Sequence, residues 1–551
     1  MPRKPLGFCT ALLTAIVAAI FFSPSTWGQS PASSSGLPAS VRTSGSAGDW
    51  VRRGEVLEVE HRWGEALTHY EEALHQFPGD ADLKRRFDSA RLHYDLARRY
   101  NDRSYRDGLA RLSFQDSLDL YNEVLLKIQA HHVDAPKWKE VVANGANGLD
   151  MALKEPVFLQ AHAARATEAA REKFRQELER ALDSRSVQSR GDACQAVAVA
   201  AGLARDRLGI EPVAAVMEFV CGAANSLDPY STYLTPDQLN DVYSQIEGHF
   251  VGLGVELKAA DGVLAIVRVI PNSPAKQGGL REGDRIVAVG GKPTRELCTD
   301  RAANLLQGDE GTTVALTVAR PGAPPREVTL RRQRVEVPSV DEVQLLDPAQ
   351  GIAYLKLTCF QKTTHRDLEA ALWKLHGMGM RGLVIDLRGN PGGLLAAAVE
   401  TADLFLQRGA IVTTRGRNAD EDYAYTAREP GTWRVPLVVL VDQDSASAAE
   451  IFAGAIRDHN RGTIVGTRSY GKGSIQGIFP LNVNHAGLRL TTAKFYSPSG
   501  YPYSGIGVEP HVVVRQAAKP INGADPTPPA SDSDAILAAA LQVARQTLAQ
   551  R

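Results

Sequence analysis

Apolar and polar positions follow three rhythms along the chain. In WGEALTHYEEALHQFPGD (63–80), Ala66, Tyr70, Ala73 and Leu74 fall at i, i+4, i+7 and i+8, the stripe of an amphipathic helix, and Pro78 closes it. Spacings of three and four dominate from about 110 to 245, as in DSLDLYNEVLLKIQAHHVD, so this region is expected to be mostly helical. Within it, LDPYSTYLTPDQLNDV (227–242) is turn-rich and ends in a helix start, with Thr235 as N-cap, Pro236 at the first helical position and Asp237 as an early acid. Near Gly248 the rhythm shortens. FVGLGVEL, VLAIVRVI, RIVAVGG, TTVALTVAR and REVTLRRQRV are short strand patterns broken by glycines and turns, with SPAKQGGLREGD between them, and they predict a small β-rich domain. Beyond it, GIAYLKLTCF, RGLVIDLRG, PLVVLVDQ and RGTIVGTRS alternate with helical segments. Continuous apolar runs of this kind belong to an α/β sheet covered on both faces. AILAAALQVARQTLAQ is a final helix with no chemistry in it.

The remaining stretches lack a period. GFCTALLTAIVAAIFF (7–22) is apolar apart from its threonines and follows Arg3 and Lys4. Its length suits the apolar region of an export signal better than a spanning helix of about 20 residues. Thr26 and Gly28 place cleavage after 28, with an uncleaved anchor left open, and either case puts the working chain outside the cytoplasm. A Ser/Pro/Gly linker fills 29–48, and GADPTPPASDSD marks a second at 516–533. The helix at 63–80 is similar to the second helix of a tetratricopeptide unit. One unit cannot bury its own face, so an ordinary helical hairpin packed on its neighbours is an equal alternative.

Composition narrows the function more than the fold. A chain of 551 residues exceeds a single core and implies roughly two to four domains. Apolar residues at 44% and charged residues at 23% describe a folded soluble protein, and a net charge of −1 gives no electrostatic footprint for nucleic acid. Cys9, Cys194, Cys221, Cys298 and Cys359 form no C-x-x-C pair, and disulfide pairing among the last four is left open. The 13 histidines are scattered and no H-E-x-x-H occurs, so a metallohydrolase is disfavoured. His131 and His132 are adjacent and cannot share a helix face. They are expected to be solvated or capping residues rather than a metal pair.

The candidate chemistry lies where strands hand over to helices. In VDQDSASAAEIFAG (441–454), Ser445 and Ser447 follow a buried run and precede a helix. Helix capping accounts for small hydroxyls there. A nucleophile accounts for them too, because a helix N-terminus favours developing negative charge. GTRSYGKGSIQG supplies a candidate base in Lys472, set between Gly471 and Gly473 and 25 residues beyond Ser447. To accept a proton near neutral pH this lysine must lie roughly 3 units below its ordinary value of about 10.4, a shift of about 4 kcal/mol that burial can supply. IDLRGNPGGLL leaves a strand through glycines, and the amides of Gly392 and Gly393 are candidate anion donors. It has no Walker lysine and no G-x-G-x-x-G, which argues against a nucleotide phosphate.

Taken in order, LRGNPGGLL, SASAAEIFAGAIRD, GTRSYGKGSIQ and GIGVEP resemble the carboxy-terminal processing (tail-specific) proteases, and LDPYSTYLTP and GHFVGLGVEL fit the same family. The resemblance spans about 110–515. It implies a multidomain α+β chain with a helical N-terminal region, an inserted PDZ domain and an α/β core of crotonase-like fold. Within the resemblance, 110–245 is the helical part of the protease domain, 246–335 the PDZ domain and 336–515 the catalytic core; outside it, the residue patterns give 1–28 signal, 29–48 linker, 49–109 repeat-like hairpin of unassigned purpose, 516–533 linker and 534–551 final helix. By position, Ser447 matches the nucleophile, Lys472 the general base, Gln476 a residue orienting the lysine, and Gly393 and Ala448 the oxyanion amides. Glu450 and Asp458 match acidic positions and are expected to be structural, and Ser445 reverts to capping. FVGLGV resembles a PDZ carboxylate loop, which makes Gly252, Leu253 and Gly254 candidates for holding a substrate's terminal carboxylate, with the peptide added to the sheet edge. The implied activity is an exported serine endopeptidase acting on proteins with accessible C-terminal tails. It would use no cofactor and no metal, leave an activating adaptor open, and touch membrane only if the leader is retained. The rival reading is a catalytically silent PDZ/repeat adaptor of the cell envelope.

Overall fold

The computed structural model describes residues 16–17, 46–260, 263–294, 305–306, 308–320, 322–428, 432–514 and 534–550. The expected cleavage site, most of the leader, the linker at 516–533, Cys9 and Cys298 lie outside the described residues. Within 1–28, only the backbone of Ile16–Val17 is described, and it pairs antiparallel with Gly477 and Gln476. Cys194, Cys221 and Cys359 are free thiols.

The first described helices are α1 (Ala47–Val59), α2 (Trp63–Gln76) and α3 (Ala81–Asn101). The predicted stripe of α2 is buried as Ala66, Tyr70 and Ala73, packed with Leu83 and Ala90 of α3. Asp80 caps α3 by accepting from the N–H groups of Asp82 and Leu83. At 21 residues, α3 outlasts the hairpin, and its far end, Leu96 and Tyr100, enters the core of the following helical layer. The hairpin therefore shares an element with the main body. The helix Pro236–Glu247 starts as the sequence predicts, and Thr235 and Gln238 also complete a reciprocal capping box.

The β-rich domain is a five-strand path running Val255–Ala260, Val263–Val269, Arg285–Val289, Thr313–Ala319, Arg326–Arg331. Leu253, Leu264, Ile266, Ala275, Leu280 and Ile286 fill its core. His249–Gly252 pairs with Gln333–Glu336, so the chain enters and leaves the domain side by side.

The core sheet contains β1 (Ile352–Leu357), β2 (Gly382–Asp386), β3 (Leu437–Val441) and β4 (Thr463–Gly466), all parallel. Val340–Asp347 adds antiparallel to β1 and Val512–Val513 adds parallel to β4. Every residue of β2 and β3 is buried, because both faces are covered. Leu383, Ile385, Val439 and Val441 face helices that include α4 (Leu395–Asp403) and α5 (Ala448–Asp458). Val384, Val438 and Leu440 face Ile536, Ala540 and Ala544 of the final helix, Ala535–Ala549.

A second, antiparallel sheet is absent from the sequence expectation. It joins β5 (Ser474–Pro480), β6 (Gly487–Tyr496), Ala410–Gly416 and Tyr423–Thr426, with Thr232–Leu234 beside β6. Buried polar residues, Ser474, Gln476 and Thr491, interrupt its apolar pattern.

Candidate active site

The site forms beyond the carboxyl ends of β2 and β3, where open α/β sheets leave a crevice. The turn after β2 is locked by Asn390. Its side-chain amide donates to the Leu357 carbonyl at 2.8 Å, its Oδ1 accepts from Gly392 N–H at 2.9 Å, and its own carbonyl accepts from Ala446 N–H. The Gly392 amide is therefore occupied, which removes it from the pair of candidate anion donors. Gly393 is different. Among the described residues neither Gly393 N–H nor Ala448 N–H has a hydrogen-bond partner. A Cβ on Gly393 would lie 2.0 Å from the Phe360 carbonyl oxygen, so the strand-to-helix turn closes only with glycine there.

Ser447 occupies the N-cap position of α5 with φ 56° and ψ −114°. A positive φ on a non-glycine residue is strained backbone that its surroundings must hold in place. Its hydroxyl is buried and accepts or donates no hydrogen bond among the described residues, so it caps nothing and is not hydrogen-bonded to Lys472 in this structure. Ser445 does not cap the helix either. Its hydroxyl donates to the Leu387 carbonyl at 2.8 Å and accepts from Asp442 N–H at 3.0 Å, bracing the ends of β2 and β3 against each other.

Glu450 is the organising carboxylate. One oxygen accepts from Ser447 N–H at 2.7 Å and Lys472 N–H at 2.9 Å, and the other from Gly471 N–H at 2.7 Å and the Ser469 hydroxyl at 2.6 Å. The backbones of Ser447 and Lys472 are thus joined through a single oxygen atom. Burial pushes the Glu450 carboxyl up to about 7, against the pull of its four donors. The structural role expected for Glu450 holds. Asp458 also supports a loop, accepting from the N–H and hydroxyl of Ser499.

Lys472 is buried, and its amine lies 4.8 Å from the centre of the Tyr230 ring. Burial holds the amine well below its ordinary value, the Arg489 cation adds to that, and Glu450 and Asp228 pull weakly the other way. Gln476, on β5, is also buried and donates to Ser474 Oγ at 2.9 Å and Thr491 Oγ1 at 3.3 Å.

Of the two roles expected for His132, solvated or capping, it takes the second, at the C-cap of the helix Phe114–His131. Its ring is buried and its Nε2 lies 3.0 Å from Asp228 Oδ2. Position on the helix cannot reveal a partner 96 residues away. Asp228, Tyr230 and Asn390 were in stretches that drew attention without receiving roles. The Asp-Pro-Tyr-Ser and Gly-Asn-Pro-Gly-Gly turns were the available signals.

Gly252, Leu253 and Gly254 lie together between His249–Gly252 and Val255–Ala260. The Leu253 carbonyl accepts from Ala275 N–H at 2.8 Å, and the Gly254 carbonyl from Ile270 N–H at 2.9 Å, which fixes the loop against the short helix Pro274–Gln277.

Residues 351–514 match Peptidase family S41, and residues 266–320 match a PDZ domain. The carboxy-terminal-processing protease of Bartonella bacilliformis is 39% identical over 301 residues, covering 54% of this chain and 68% of that protein. The carboxyl-terminal-processing protease of a Synechocystis species is 36% identical over 294 residues, covering 52% of this chain and 68% of that protein. Among solved structures, the photosystem II D1 C-terminal processing protease aligns with 25% identity and a TM-score of 0.40, over 72% of this chain and 92% of its own. With 39% identity over 68% of a carboxy-terminal-processing protease, the chain belongs to the carboxy-terminal-processing serine peptidases of family S41.

Proposed function

We propose that Ser447 is the nucleophile, Lys472 the general base, and the N–H groups of Gly393 and Ala448 the oxyanion donors of an endopeptidase that recognises a protein's C-terminal tail. The observation that carries this reading is the shared Glu450 oxygen, which ties the backbones of Ser447 and Lys472 together in one buried pocket. Neutral Lys472 takes the proton of Ser447 Oγ as that oxygen bonds to the scissile carbonyl carbon. Gly393 and Ala448 hold the resulting oxyanion. When the intermediate collapses the C–N bond breaks, and Lys472 returns its proton to the departing amine. Water then gives a proton to Lys472 as its oxygen bonds to the ester carbon; the bond from that carbon to Ser447 Oγ breaks, Lys472 returns the proton to Oγ, and the new carboxyl group leaves. Gln476 helps set the lysine's position. Free carboxylates bind at Gly252, Leu253 and Gly254, with the peptide laid on the edge of the β-rich domain.

In this reading 246–335 acts as the tail-binding unit, 336–515 with 110–245 as the protease domain, and the chain works after export, in the periplasm or cell envelope. The test is incubation with a peptide bearing an apolar tail, with fragments identified by mass spectrometry. Wild type cleaves and continues to cleave in chelator. Ser447→Ala abolishes cleavage, and Lys472→Ala lowers it by roughly three orders of magnitude or more. Ordinary turnover in either variant contradicts the assignment.

A further inference from the structure

The Lys472 amine faces an aromatic ring from a turn that the dyad chemistry leaves unused. Tyr230 lies between the helix Pro212–Asn225 and the strand Thr232–Leu234. Its turn is held from three directions. From within, Asp228 Oδ1 accepts from Tyr230 N–H at 2.7 Å and Ser231 N–H at 2.9 Å. From β6, Arg489 Nε donates to the Tyr230 carbonyl at 2.9 Å. From the N-terminal hairpin, Arg91 of α3 donates to the Pro229 carbonyl at 2.8 Å.

Asp228 is itself fixed. Its Oδ2 accepts from Ser231 Oγ at 2.6 Å and meets His132 Nε2 at 3.0 Å, and its Oδ1 accepts from Thr491 Oγ1 at 3.0 Å. The same Thr491 hydroxyl receives Gln476 Nε2 at 3.3 Å. One carboxylate therefore sets both the turn that carries Tyr230 and the hydroxyl that meets Gln476.

We propose that Tyr230 is a positioning residue for Lys472, and that α3, through Arg91, holds the turn that presents it, so the N-terminal hairpin belongs to the catalytic apparatus. The proposal rests on Lys472 being the general base. Such a lysine must be neutral before attack and charged after it. A carboxylate contact would keep it charged throughout. An aliphatic wall would keep it neutral but give the ammonium nothing. An aromatic face serves both states, since it excludes water from the amine and presents negative quadrupole density to the ammonium. Other ionisable groups acting on this amine include Arg489, which disfavours its charge, and Glu450 and Asp228, which favour it. Burial pushes the Tyr230 phenol up, so it stays neutral through the cycle.

The test is the pH dependence of kcat and KM for a fluorogenic peptide with an apolar tail. Tyr230→Phe keeps the wild-type acid limb. Tyr230→Ala admits water to the amine, so the limb moves alkaline by roughly one pH unit or more, and kcat at neutral pH falls roughly tenfold with KM within about twofold. Arg91→Ala moves both in the same direction by less, roughly threefold in kcat, and Arg91→Lys restores them. A wild-type limb in folded Tyr230→Ala, or full kcat in Arg91→Ala, overturns the proposal. Should Tyr230→Ala fail to fold, Arg91→Ala decides, because its bond lies at the surface. Lys472→Ala is assayed alongside. If it turns over normally the general-base reading fails, a result distinct from failure of the Tyr230 contact.

Discussion

A single side chain, Glu450, carries most of the geometry that makes the site one site. Its two oxygens accept four donors in a buried setting. Glu450→Gln offers one acceptor oxygen and, in either orientation, turns an NH2 toward at least one backbone N–H that can only donate. The variant should lose about 2–4 kcal/mol in chemical denaturation and most of its turnover. Unchanged stability would mean that the clasp contributes little. Gly393→Ala is a sharper steric probe. With φ at 144° and the Phe360 carbonyl 2.0 Å from the new Cβ, the turn must open. A drop of about 2–4 kcal/mol with loss of cleavage is expected in a thermal melt and peptide assay. Residue identity announced Ser447 and Lys472 through their neighbours in sequence, but not the contacts that define them. Glycines flanking Lys472 signalled a tight approach. Nothing in SASAAE revealed that Glu450 would reach Gly471 and Lys472, because convergence on a buried carboxylate is a property of the closed fold. Ser445 shows the reverse error. A serine before a helix reads as a cap, yet a strand-end carbonyl 58 residues away claimed its hydroxyl.

Among elements, the parallel strands were legible because two-sided burial writes itself as unbroken apolar runs, and β2 and β3 are buried at every position. β5 and β6 were not, because the sheet that holds Gln476 and Thr491 buries polar groups that a hydropathy pattern counts as surface. The final helix illustrates how an element without chemistry supports the site. Ala540 is fully buried against the outer face of the sheet, so Ala540→Asp should cost roughly 3 kcal/mol or more and expose that face. A wild-type melting temperature would contradict this packing. The link between the helix Phe114–His131 and the turn at Asp228 gives a pH signature. Hydrogen bonds from His132, Ser231 and the turn's backbone outweigh burial and hold the Asp228 carboxyl down at about 2. A depressed carboxylate stabilises the fold above its unfolded value, near 3.8, and this is lost as pH falls through about 2. Wild type should exceed Asp228→Asn by on the order of 2 kcal/mol at pH 5, and the gap should close toward pH 2. His132 has the opposite sign. Asp228 and the Asp134 carbonyl outweigh burial and raise it, so its contribution is complete below about 6.5 and fades as pH climbs through the raised value. A gap that stays constant from pH 5 to 2 would exclude the coupling.

At the scale of the molecule, the N-terminal helices reach the pocket of the core, and the β-rich domain is tethered to that core. The β-rich domain is tethered at a paired neck, His249–Gly252 against Gln333–Glu336, and an Arg268–Asp341 ion pair joins it to the core. If its loop at Gly252–Gly254 holds a tail carboxylate, amidating the C-terminus of a peptide substrate should raise KM roughly tenfold or more and leave kcat nearly unchanged. Equal KM for acid and amide would remove that loop from recognition. The hairpin joins through α3, which enters the helical core and reaches the Tyr230 turn. The order of domains could be read along the chain, but the contact of the Tyr230 turn with Lys472 could not, since it joins residues more than two hundred positions apart. The central claim is that Lys472 is an uncharged amine at neutral pH. Isotope-edited NMR of the lysine Cε resonances, with Lys472→Met to assign the signal, measures this directly. A buried general base should give a resonance titrating well below the ordinary lysine value of about 10.4 and already in the neutral form near pH 7–8. A Lys472 signal that remains ammonium-like until it titrates with the surface lysines would contradict the claim.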